Sequence, residues 1–121
     1  MEYQSYEVVE SAMAPGVQYV VAKMSFGRRV ELARRIRELA TRKEFLAAGE
    51  SAEDKMEGAL VSSEIDRIVV GWGLIEVRGL HLDGLPATPD SLGATGPEEL
   101  FQEALAAVRA QCGLSDAERK N

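Results

Sequence analysis

The chain has few of the residues from which most chemical sites are built. Its 121 residues hold a single cysteine, Cys112, a single histidine, His81, and a single tryptophan, Trp72. One cysteine excludes an internal disulfide and suits a reducing compartment. No run of about 18 apolar residues occurs, so the sequence offers no membrane span. The opening residues, MEYQSYEVVE, are acidic and lack the basic-then-apolar order of a secretory leader. Positive charge is short as well: 14 Lys and Arg face 20 Asp and Glu, for a net charge of −6 and a pI near 4.8. That balance argues against nucleic acid as a partner, because phosphate binding needs a basic surface. What is abundant is apolar: 45% of residues are hydrophobic, enough for a real core in one domain spanning residues 1–121.

The densest apolar stretch is Asp66–Gly84, DRIVVGWGLIEVRGLHLDG. Val61, Ile65, Ile68, Trp72 and Ile75 recur at helical spacing, with Trp72 as the large anchor of that face. Gly71 and Gly73 each cost a helix roughly 1 kcal/mol relative to Ala. They either end the helix near Leu74 or let another backbone approach the indole. A strand over Ile68–Val70 and Leu74–Val77 is also open, since short β-branched runs fit both periods. Leu80, His81 and Leu82 leading into Asp83-Gly84 have the form of an extended run entering a turn.

Ahead of this stretch, residues 1–26 alternate as strands do. Tyr6, Val8 and Glu10 share one side, and Val17, Tyr19 and Val21 another. Ala14-Pro15-Gly16 between them predicts an antiparallel hairpin with Val17–Met24 as its firmer strand. Residues 27–121 are expected to be the helical part. Ser25 caps a helix over Gly27–Ala48 whose inward face is Leu32, Ile36, Leu39, Ala40 and Leu46, with Gly49 at its C-terminal end. Ser51 caps a second helix, weakened by Gly58 and strong from Leu60 onward. Thr88 and Pro89 start one short turn, Pro89–Leu92. Pro97 opens the last long helix, with Phe101, Ala104, Leu105, Val108 and Cys112 on its apolar face and Gly113 at its end. Leu114 then packs back, and Ser115–Glu118 forms a capping box. The expected fold is α+β and mostly helical: an N-terminal β-hairpin packed on about three main helices plus short helical turns. Trp72, Phe101, Leu105 and Val108 are its expected core anchors.

The search for chemistry returns little. His81 and Asp83 make an H-x-D pair, but no second histidine, cysteine cluster or nucleophile setting accompanies it. Gly71-Trp72-Gly73 lacks the spacing and lysine of a phosphate loop. Cys112 lies on an apolar helical face and reads as a small hydrophobe. No catalytic residue, metal ligand or cofactor site is expected, and an enzyme is the weaker class. The first helix carries Arg28, Arg29, Arg34, Arg35, Arg37, Arg42 and Lys43, half of all basic residues. Glu31–Arg35, Arg34–Glu38 and Glu38–Arg42 stand at i,i+4, the pattern of a solvated face laced with ion pairs. Arg28 and Arg29 differ, because they stand at the positive end of the helix dipole. They are the candidate partner-binding residues.

Phe26-Gly27-Arg28-Arg29, Trp72-Gly73-Leu74, Gly79–Gly84, Ala87-Thr88-Pro89, Gly96–Leu100 and the closing Leu114–Asn121 together resemble small prophage and tailed-phage proteins similar to tail assembly chaperones. The likeness covers most of the chain from Phe26 and is densest over Trp72–Asn121. It implies a non-enzymatic cytoplasmic protein of the bacterial host cell that coats a long helical tape measure protein, keeps it soluble and helps recruit tail-tube subunits. From charge, hydropathy and the motif search, no nucleic acid, membrane or cofactor is expected as a partner. The alternative is a structural virion protein, such as a head–tail or tail-tube adaptor. A helix-turn-helix regulator is disfavoured by the acidic charge.

Overall fold

The computed structural model describes residues 1–113. The expected packing of Leu114 and the capping box from Ser115 to Glu118 lie outside the described residues. In chain order the elements are β1 (Tyr6–Glu10), β2 (Gln18–Ala22), α1 (Phe26–Ala47), α2 (Ala52–Gly73), β3 (Leu74–Arg78), β4 (His81–Leu82), β5 (Leu85–Pro86), α3 (Pro89–Thr95) and α4 (Glu98–Gln111). The fold is α+β and mostly helical, as expected.

The chain divides into two compact units, residues 1–24 with 70–121, and residues 25–69. The division does not follow the expected split between a hairpin and a helical remainder. β3 is the reason, because it pairs with β2 and draws the second half of the chain to the hairpin.

In the first unit β1, β2 and β3 form an antiparallel sheet in that order. β2 is central and buried from Tyr19 to Ala22 on both of its faces. The predicted hairpin is present: Val17 donates to the Ala14 carbonyl at 3.1 Å, and Ser11 donates to the Val17 carbonyl at 2.9 Å. One face of β2 packs on α4. Tyr19 points there, and Val9 of β1 and Val77 of β3 stand opposite it in register.

The stretch that admitted both helix and strand contains both. Ile68–Val70 are helical and Leu74–Val77 are extended. Ile75 therefore leaves the helical face assigned to it. It falls in a bulge, since Val20 faces Glu76 while Val21 faces Leu74, and its side chain is 53% exposed. The switch occurs at Gly73. A Cβ on Gly73 would stand 2.3 Å from a methyl of Val108, so only glycine lets α4 approach there. Gly79 closes the strand with φ +79, and a Cβ on it would stand 2.1 Å from the Gly16 carbonyl oxygen. The hairpin turn and the end of β3 thus meet backbone to backbone.

Asp83 and Gly84 take φ of 53 and 82, the type I′ pattern that joins β4 to β5. α3 runs for two turns rather than the expected one. Thr88 and Ser91 cap it reciprocally: the Ser91 amide donates to Thr88 Oγ1 at 3.0 Å, and the Thr88 amide to Ser91 Oγ at 2.8 Å. α3 packs on α4 and β3. α4 starts after Pro97 with Glu98 and Glu99 in its first turn, and Gly113 follows it at φ 77.

The second unit is a pair of helices, α1 and the part of α2 up to Val69. Ser25 Oγ accepts from the Arg28 amide at 3.2 Å, and Ser51 Oγ from the Asp54 amide at 3.0 Å. α2 is continuous from Ala52, so Gly58 does not delay it. A Cβ on Gly58 would stand at ordinary contact distance, 3.7 Å, from Leu46 Cβ, so the site does not require glycine, and the helix continues through it despite a propensity cost of about 1 kcal/mol. α1 ends at Ala47 with Ala48 as its cap, and Gly49 does not take a positive φ.

Candidate interaction surface

α1 has two different sides. Leu32, Ile36 and Leu39 are half-buried and Leu46 is buried, as the apolar spacing predicts. The opposite side is a single line of exposed residues: Phe26, Val30, Arg34, Arg37, Thr41 and Phe45. Their spacing of +4, +4, +3, +4 and +4 keeps them on one stripe of the helix. Phe26 is 85% exposed and Phe45 79%. Apolar groups on both sides are more than a helix needs to cover one core.

The ion-pair lattice expected on this helix is only partly formed. Arg35 pairs with Glu31 at 2.6 Å. Arg42 reaches across to Glu57 of α2 at 2.5 Å instead of pairing with Glu38. Among the described residues, Arg29, Arg34, Arg37 and Lys43 have no ion pair. α1 also has no acid in its first turn and no base in its last, so its charges do not serve its dipole.

The two candidate arginines at the start of α1 part company. Arg29 is exposed. Arg28 is half-buried, its Nε is shut off from solvent, and it has an interaction partner within the chain. Of the expected core anchors, Trp72, Leu105 and Val108 are 5%, 2% and 0% exposed. Phe101 is only half-buried, and its ring lies 3.5 Å from where a Cβ on Gly93 of α3 would stand. Cys112 is half-buried at the end of α4, with Sγ 3.7 Å from the Val108 carbonyl. His81 and Asp83 are both exposed. Among the described residues, no group of three or more His, Cys, Asp or Glu stands in a metal-holding arrangement.

One polar cluster was not foreseen. Glu103 of α4 accepts from Ser11 Oγ at 2.5 Å, from the amides of Ala12 and Met13 at 2.9 and 3.2 Å, and from the Tyr19 hydroxyl at 2.8 Å. Partial burial works to raise the Glu103 pKa, but the hydrogen bonds from Ser11, Tyr19, Ala12 and Met13 outweigh it and hold the carboxyl below its ordinary value. Burial first, and then the bond to Glu103, pushes the Tyr19 phenol up to about 12. A shallow depression beside this cluster is lined by Met13, Glu98, Glu99, Gln102 and Glu103. Glu103 is saturated by its four donors, so the cluster ties the hairpin turn to α4. Ser11 had a local signal, since a serine ahead of a turn bonds the following amides, here Met13 and Ala14 at 3.2 and 2.9 Å. Nothing local pointed to Glu103.

No helix among the described residues is long and apolar enough to cross a membrane. Set against known proteins, the chain matches no family model, no curated protein and no solved structure.

Proposed function

We propose that this chain is a non-enzymatic protein-binding module that recognises a helical partner. More particularly, we infer a role like that of the phage tail assembly chaperones its motifs resemble. In that role it binds a long helical tape measure protein in the bacterial cytoplasm, keeps it soluble and aids the recruitment of tail-tube subunits. The observation that carries this reading is the balance of apolar groups in residues 25–69. Among the described residues, that unit buries three hydrophobic residues, Leu46, Val61 and Val69, and exposes five large ones, Phe26, Val30, Phe45, Met56 and Leu60. Among its described residues the other unit has the reverse balance, with fifteen buried and seven exposed. Exposed apolar surface on a helical pair suits helix-in-groove recognition.

The test is co-expression with the helical protein encoded beside it, followed by size-exclusion chromatography. The expected result is co-elution and a raised soluble yield of the client. A client that is equally soluble alone and never co-elutes would remove the chaperone role. Recovery of the chain from purified virions would then favour a head–tail or tail-tube adaptor.

A further inference from the structure

We propose that the outward stripe of α1 is the docking surface, and that its occupant is an amphipathic helix with acidic residues at its centre and large apolar residues towards its ends. This inference rests on the proposed binding of a helical client and names the surface and the chemistry of that contact.

The stripe has an order along its length. Phe26 and Val30 stand at one end, Phe45 stands at the other, and Arg34 and Arg37 lie between them. From Phe26 to Phe45 the helix rises about 28 Å, which a partner helix of roughly 20 residues would match. Among the described residues, the two central cations have no ion pair. Over its full length α1 carries seven basic and three acidic residues, a net charge of +4 in a chain whose total is −6. The positive charge is therefore local to the helix that also exposes the phenylalanines. Electrostatic complementarity selects an acidic centre in the partner, while the phenylalanines supply apolar area at the ends.

The same order argues against a second copy as the occupant. An antiparallel two-fold pairing of stripes would set the Arg34–Arg37 pair of one copy against the same pair of the other, and like charges face to face are unfavourable.

The experiment uses the full chain and two synthetic helical peptides of equal length with apolar ends, one with two central glutamates and one with lysines in their place. Binding is read by fluorescence anisotropy. The glutamate peptide is expected to bind and the lysine peptide to be ignored. Arg34→Glu with Arg37→Glu should weaken the glutamate peptide by about tenfold or more and admit the lysine peptide. Phe26→Ala with Phe45→Ala should weaken the glutamate peptide while leaving the helical circular dichroism unchanged. Equal binding of the two peptides, binding of neither, or indifference to the phenylalanine pair overturns the proposal. So does an α1-dependent dimer in sedimentation, or pelleting with anionic phospholipid vesicles through Phe26 and Phe45. If the natural client co-elutes with the parent and equally with both double variants, the surface is wrong and the client reading stands. If no client co-elutes while the peptides behave as expected, the client reading fails and the surface stands.

Discussion

At the scale of single residues, Glu103 ties the hairpin turn to α4 through four hydrogen bonds. A carboxylate that accepts four hydrogen bonds is favoured in its charged form. Its folded-state pKa is depressed, so the stability it contributes is present above the unfolded carboxylate value of about 4.3 and lost as pH falls through the folded value. Tyr19 sets the opposite limit. Its phenol is raised to about 12, so its contribution is intact below the ordinary tyrosine pKa and lost as pH climbs from that value through about 12. Glu103→Gln should therefore lower the melting temperature at pH 7 and flatten its fall between neutral and acid pH. Removing one partner from such a cluster costs about 1–3 kcal/mol. Parallel melting curves for parent and variant from pH 7 to pH 3 would show that Glu103 does not hold the turn. Of this cluster only the Ser11 turn has a local signal in the sequence; its link to Glu103 has none. Ser11 and Glu103 are 92 residues apart, and no periodicity connects a turn to a helix at that range.

At the scale of elements, local signals mark most of the elements that form, although Gly49 does not cap α1, Gly58 does not delay α2 and α3 is longer than one turn. The hairpin follows from alternation around Ala14-Pro15-Gly16, α1 from its Ser25 cap and apolar spacing, and α4 from Pro97 before it and Gly113 after it. β3 was left open because its partner, β2, lies more than fifty residues earlier in the chain, and a short β-branched run carries no length signal of its own. The outward stripe of α1 was hidden for another reason. Arg34 has Glu38 at i+4, yet of the three i,i+4 pairs expected on α1 only Glu31–Arg35 is formed, and Arg35 is not on the stripe. The junction between α2 and β3 gives a direct test. Gly73→Ala should gain about 1 kcal/mol of helix propensity. It should lose more than that, since overpacking costs about 1–3 kcal/mol and the added Cβ would stand 2.3 Å from a Val108 methyl. Adding Val108→Ala removes the obstructing methyl, so the double variant should be more stable than the sum of the single losses implies. Urea denaturation of the four proteins measures that coupling. A Gly73→Ala protein more stable than the parent would mean that α4 does not approach this close.

At the scale of the whole molecule, burial is shared unequally between the two units. β2 is enclosed on both faces and α4 buries Leu100, Ala104, Leu105 and Val108. In α1 the one buried side chain is Leu46, in a helix of 22 residues. Helical stability in proteins comes mostly from packing of one face rather than from propensity, so a long helix with so little buried has little holding it. Segments with few buried apolar groups open locally at free energies below that of global unfolding. Residues 30–60 should therefore exchange their amide hydrogens before the amides of β2 and α4, which should exchange only with global unfolding. A binding surface drawn from the less stable part of a fold is common, because the partner supplies the missing contacts. Saturating the protein with the centrally acidic helical peptide should accordingly slow exchange in α1 far more than in β2. Native-state hydrogen exchange with and without peptide reads both effects together. Uniform protection across the chain, or a peptide effect confined to β2 and α4, would show that the helical pair is neither the loosely held part of the molecule nor the part that binds.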